Sequence, residues 1–94
     1  MTVKTKRWDI TEHLADDADC VAYIEAALED GDAALIAAAL GDVARAKGMT
    51  QVSREAGLAR ENLYTALSEK GNPEFATIMS VVRALGLRLH VSAA

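Results

Sequence analysis

Aromatic side chains make up only 4% of this sequence, and there is a single cysteine, Cys20. No apolar run approaches the length needed to cross a bilayer. Each shortage excludes something. A lone cysteine cannot close an internal disulfide, so the chain is not a disulfide-held scaffold and reads as a reduced, cytoplasmic protein. The missing apolar run argues against a membrane protein. Near the N-terminus Lys4, Lys6 and Arg7 lead into Trp8 and Asp9 rather than into the apolar core of a secretory signal. Histidine is also scarce. His13 and His90 lie far apart, and neither has a second histidine or a cysteine at ligand spacing. No metal site is expected. No Ser–His–Asp or Cys–His spacing is visible, and the glycines are scattered instead of forming a phosphate-cradling loop. The expectation is a protein without a cofactor that is not an enzyme.

What is present favours helices. The chain has 94 residues, enough for one domain with one core, and 51% of them are hydrophobic. Alanine, the best helix former, supplies about a fifth of the chain, while aromatic residues, which favour strands, make up only 4%. Apolar periodicity and turn residues divide the chain into about five helices. A short helical pattern spans 10–14 after Asp9. A helix capped by Asp17 runs over 17–29, with Val21, Ile24 and Leu28 on its apolar face, and Gly31 stops it. Asp32 caps the next, whose stripe is Leu35, Ile36, Ala39, Leu40 and Val43, ending at Gly48. Two short helices follow over 51–56, capped by Thr50, and over 60–69. Asn72-Pro73 resets the backbone, and Phe75, Ile78, Met79, Val82 and Leu85 face inward on the last helix. The tail alternates apolar with polar or charged residues over 87–91, the period of a half-buried strand. One strand cannot form a sheet alone, so this pattern predicts pairing with a different protein or with a second copy, the latter a homodimer through residues 87–91. The expected fold is therefore an all-α bundle with a short C-terminal strand.

Charge is unevenly spread. The formal net charge is -4. Residues 1–48 carry five Lys/Arg and ten Asp/Glu, and residues 49–94 carry five Lys/Arg and four Asp/Glu. Between Asp9 and Asp32 there are nine acids and no Lys or Arg. The second half could approach a phosphate backbone, whereas the acidic segment 9–32 would be repelled by one.

The run 49–68, MTQVSREAGLARENLYTALS, has the pattern of a helix-turn-helix. Gly57 suits a turn that needs positive φ. Val52, Leu58 and Leu63 are spaced to seal the wedge between two helices, and Ser53 is small where they approach closely. In such a unit the second helix enters the major groove of double-stranded DNA. Its outward positions would be Arg60, Glu61, Tyr64 and Thr65, of which Arg suits a guanine edge, Glu a cytosine amino group and Thr a thymine methyl. Gln51, Asn62, Ser68, Lys70 and Asn72 are placed to bond phosphates. The same pattern also occurs in helical hairpins that never touch DNA, and Glu61 and Glu69 oppose a phosphate backbone.

The stretch from Ala46 to Phe75, above all Leu63-Tyr64 and Gly71-Asn72-Pro73, resembles the HigA-like addiction-module antidote proteins. Trp8-Asp9, Tyr23-Ile24, Gly31-Asp32 and Leu85-Gly86-Leu87 extend the resemblance over nearly the whole chain. Two positions depart from the pattern. Ser53 stands where a small apolar residue is commoner, and Ala59 where Ser or Thr would cap the recognition helix. The resemblance implies an antitoxin that binds a small basic RelE/HigB-like ribonuclease toxin and, as a dimer on operator DNA, represses the shared operon. The alternative is a stand-alone phage-type repressor with no toxin. On the antitoxin reading the acidic segment would face the toxin, with Asp16, Asp17 and Asp19 steering it by charge and Trp8 and Tyr23 as aromatic contacts. The plainer reading of the same acids is a solvated face with some helix caps among them.

Overall fold

The computed structural model describes residues 10–68 and 70–94. A single 3-10 turn over Ile10–His13 precedes α1 (Asp17–Asp30), α2 (Ala33–Lys47), α3 (Met49–Ala56), α4 (Arg60–Ala66) and α5 (Phe75–Ala84). Trp8 and Asp9 lie outside the described residues.

Each early boundary has a local cause. Asp16, in extended backbone, caps α1 by accepting a 2.9 Å hydrogen bond from the Asp19 N–H. The cap is thus Asp16 and not Asp17, one residue earlier than the sequence suggests. Such a cap contributes ~1 kcal/mol. Gly31 ends α1 in the left-handed conformation at φ 82°, which a side chain would strain. Asp32 then caps α2 through the Ala34 N–H at 2.9 Å. Helix α3 starts at Met49 with no side-chain cap, so Thr50 lies within the helix instead of before it.

The α1–α2 hairpin is closely packed because its buried residues are small. Helix α1 buries Cys20, Ile24 and Ala27, and α2 buries Ala37, Ala39, Leu40, Val43 and Ala44. The stripe expected from periodicity, Val21–Ile24–Leu28, is displaced. Val21 and Leu28 are exposed, as is Leu35. Placing Cys20 and Ala27 inward lets the two helices approach more closely than a face of Val and Leu would allow. The core continues through Met49 and Val52 of α3, Leu63 of α4, then Leu67, and Val81, Val82 and Leu85 at the far end of α5. Phe75, expected inside, is 72% exposed. It opens the first turn of α5, whereas the fully buried residues of that helix are Val81 and Val82, in its second half.

Gly41 determines how α2 meets the end of α4. A Cβ there would sit 2.5 Å from the Leu67 carbonyl oxygen. The end of α4 therefore rests directly on the α2 backbone, a contact only glycine permits.

The strand expected over 87–91 is not formed. Among the described residues there is no strand at all, and the fold is all-α. Leu87 donates its N–H to the Val82 carbonyl at 3.1 Å and is half-buried, whereas Leu89 is exposed and Val91 is 97% exposed. The alternation is real, but a strand is made by backbone hydrogen bonds to a neighbour. No described segment of this chain lies extended beside the tail to receive them, so the pattern does not become a strand.

Candidate nucleic-acid interface

Helices α3 and α4 meet at a turn built by Gly57. It adopts φ 72°, its N–H reaches the Arg54 carbonyl at 3.3 Å, and the Leu58 N–H returns to the Ser53 carbonyl at 3.0 Å. These bonds satisfy the last carbonyls of α3 in the manner of a Schellman closure. Val52 and Leu63 are buried in the wedge and Leu58 is half-buried. Ser53 is buried too, and its hydroxyl donates to the Thr50 carbonyl at 3.0 Å. A polar atom in the wedge is thus satisfied within its own helix, which explains how serine is tolerated at this close approach. Ala59 offers no side-chain cap to α4.

Residues expected to meet DNA lie on the outside of this unit. Gln51, Arg60, Glu61, Asn62, Tyr64, Thr65, Lys70 and Asn72 are exposed, and Ser68 is half-buried. Several have internal partners. Gln51 Nε2 donates to Glu55 Oε1 at 3.1 Å. The Thr65 hydroxyl donates to the Glu61 carbonyl at 3.0 Å, and Ser68 Oγ donates to the Thr65 carbonyl at 2.9 Å. Both hydroxyls therefore have their hydrogens engaged and retain acceptor lone pairs.

Arg60 has a fuller set of contacts. Its Nη1 donates to Thr50 Oγ1 at 3.3 Å, its Nη2 reaches the Tyr64 hydroxyl at 3.5 Å, and its guanidinium lies 5.7 Å from the centre of the Tyr64 ring. Thr50 joins the site from α3, ten positions upstream of Arg60. The helical spacing of Arg60 and Tyr64 was visible in the sequence. The Thr50 contact was not, because it depends on the angle between two helices.

Charge distribution separates this surface from the rest. Lys47 Nζ pairs with Asp17 Oδ1 at 2.7 Å, and Arg45 pairs with Asp42. Among the described residues no carboxylate lies within ion-pair distance of Arg54, Arg60, Lys70, Arg83 or Arg88. These are the five Lys/Arg of residues 49–94.

The acidic residues expected to face a toxin lie at the start of α1. Asp16, Asp17 and Asp19 are exposed. Asp16 is engaged as the cap of α1 and Asp17 as the partner of Lys47. Tyr23 is half-buried, and its hydroxyl donates to Asp42 Oδ2 at 2.5 Å. Burial first, then the hydrogen bond to the Asp42 carboxylate and its charge, push the phenol up to about 12, with Arg45 acting in the opposite direction. Tyr23 thus ties α1 to α2. Trp8 lies outside the described residues. Burial raises the Cys20 thiol above its ordinary value, with Lys47 opposing and Asp17, Asp19 and Asp16 reinforcing. That is the environment of a core thiol and not of an activated one.

A family of probable addiction module antidote proteins matches residues 4–93 of the chain. An uncharacterised protein of Haemophilus influenzae is 46% identical over 91 residues, a stretch covering 97% of this chain and 94% of that protein. No solved structure matches.

Proposed function

The chain belongs to the family of probable addiction module antidote proteins, and on that premise we propose that it both neutralises a small basic toxin of the RelE/HigB type and represses its own operon. DNA binding is assigned to α3 and α4, with α4 in the major groove and two copies on a two-fold operator. The observation that carries this reading is the contrast in cation use. The described cations ahead of α3, Arg45 and Lys47, are neutralised by the chain's own carboxylates, whereas those from α3 onward are exposed without such partners. Cations left free beside an exposed helix-turn-helix support a phosphate-facing surface.

Toxin binding is assigned to the acidic surface of α1. Asp19, Glu25 and Glu29 are exposed there, and no carboxylate among them takes part in an ion pair or cap. They are better placed than Asp16 and Asp17 to steer a basic partner.

The deciding experiment is a fluorescence-anisotropy titration of labelled duplex from the DNA upstream of the coding sequence, beside an Arg60→Ala variant. Saturable binding that exceeds scrambled duplex, weakens steeply with salt and is about ten-fold weaker in the variant is expected. Equal binding to scrambled duplex, with and without the neighbouring toxin, would overturn the repressor assignment and leave the antitoxin role alone.

A further inference from the structure

Tyr64 stands at an outward position of α4, where a side chain would ordinarily be read as a base contact. Its actual partner is Arg60, one helical turn earlier. The Tyr64 ring lies under the guanidinium at 5.7 Å and its hydroxyl oxygen is 3.5 Å from Nη2. From the other side Thr50 Oγ1 accepts from Nη1 at 3.3 Å. Two helices thus hold one exposed cation with neutral groups only. A carboxylate in their place would have held Arg60 more tightly but would have cancelled the charge. Glu61 is its immediate neighbour in sequence, yet no carboxylate among the described residues forms an ion pair with Arg60. The arrangement restricts the rotamers of a long side chain and keeps its charge available to an outside partner.

We propose that Tyr64 and Thr50 are positioning residues that hold Arg60 as a preset reader of one guanine in each half-site of the bound DNA. This rests on the DNA-binding reading above and adds to it the base class read and the device that orients the reader. A guanidinium presents paired N–H donors, and guanine presents the N7 and O6 acceptors in the major groove that match them. Holding the fork in place before binding removes part of the ordering cost of that contact. Tyr64 accordingly acts through Arg60, not on a base of its own.

The test uses a library of labelled random-sequence duplexes, selected by the wild-type chain and by Arg60→Ala, Tyr64→Phe, Tyr64→Ala, Thr50→Val and Arg60→Ala/Tyr64→Ala, each checked by circular dichroism for an unchanged fold. The wild type should enrich one guanine per half-site, favoured roughly ten-fold over other bases, the scale of a bidentate contact. Arg60→Ala should lose that preference and keep the others. Tyr64→Ala should lose most of it at the same base position, Thr50→Val part of it, and Tyr64→Phe, which keeps the ring, should largely restore it. The double variant should be no worse than Arg60→Ala alone. The proposal is overturned if Tyr64→Ala leaves the guanine preference intact, if it erases a preference at a different position, or if the two substitutions add independently. Failure of the parent reading looks different: the wild type then enriches no sequence, and its binding does not weaken with salt.

Discussion

The α1–α2 hairpin and the α3–α4 unit are adjacent in the chain and handle charge in opposite ways. In the hairpin, exposed cations are paired with the chain's own acids: Lys47 with Asp17, Arg45 with Asp42. Asp42 also accepts from Tyr23, so one carboxylate joins the two helices. In the second unit the described partners of Arg60, the Tyr64 ring and hydroxyl and the Thr50 hydroxyl, are neutral, and the cation keeps its charge. A net charge of -4 conceals this. The lesson is that partner preference follows from which charges remain uncompensated on each surface, and not from their sum.

The comparison can be broken most severely at the seam between the two units. Gly41→Ala places a Cβ 2.5 Å from the Leu67 carbonyl, and backbone must shift to admit it. A loss of ~2–3 kcal/mol is expected, read as a lower urea midpoint, with toxin and DNA binding both impaired. An unchanged midpoint would show that the two units do not depend on this contact.

Next in size is a clean separation of the surfaces. Arg60→Ala should weaken DNA binding by about ten-fold while toxin affinity, measured by calorimetry on the same preparation, stays within error. Loss of both would mean that the toxin also rests on α4.

The converse variant, Asp19→Lys with Glu25→Lys, spares the Asp16 cap and the Asp17–Lys47 pair. Toxin association should slow and become less dependent on salt, with operator affinity unchanged or slightly raised. Toxin association that is as fast, and as salt-dependent, as in the wild type would reduce the α1 acids to solubilising groups.

The smallest effect sharpens the hairpin side. Tyr23 has its phenol pushed up to about 12 from an ordinary value of 10.0. The fold therefore favours the neutral form. Its contribution is complete below pH 10 and falls as pH rises toward 12, because the unfolded chain loses that proton first. Tyr23→Phe should cost about 1 kcal/mol at neutral pH, and its deficit against the wild type in thermal melts should shrink across that alkaline window. The absence of any deficit at neutral pH would place the role of Tyr23 in the packing of its ring alone, which phenylalanine keeps.

Much of this was legible in the residues. Gly31, Gly48 and Gly57 marked helix ends, and Asp32 marked a start, because capping and positive φ are local demands. The buried wedge of Val52 and Leu63 followed from spacing. Val21 and Leu28 were misplaced because Val, Leu and Ala are all apolar, and periodicity alone does not say which of two adjacent stripes faces the partner helix. Phe75 was misplaced because periodicity says nothing about where along a helix the core stops.

The sequence by itself determined the helices, most of their ends and the Gly57 turn between α3 and α4, since these depend on residues within a few positions of one another. Tertiary structure alone decided that Thr50 meets Arg60, that Lys47 answers Asp17 thirty residues away, that Leu67 rests on Gly41, and that the alternating tail stays irregular. Those outcomes turn on the angle and distance between elements and on whether a neighbouring backbone is present, quantities that no local pattern encodes.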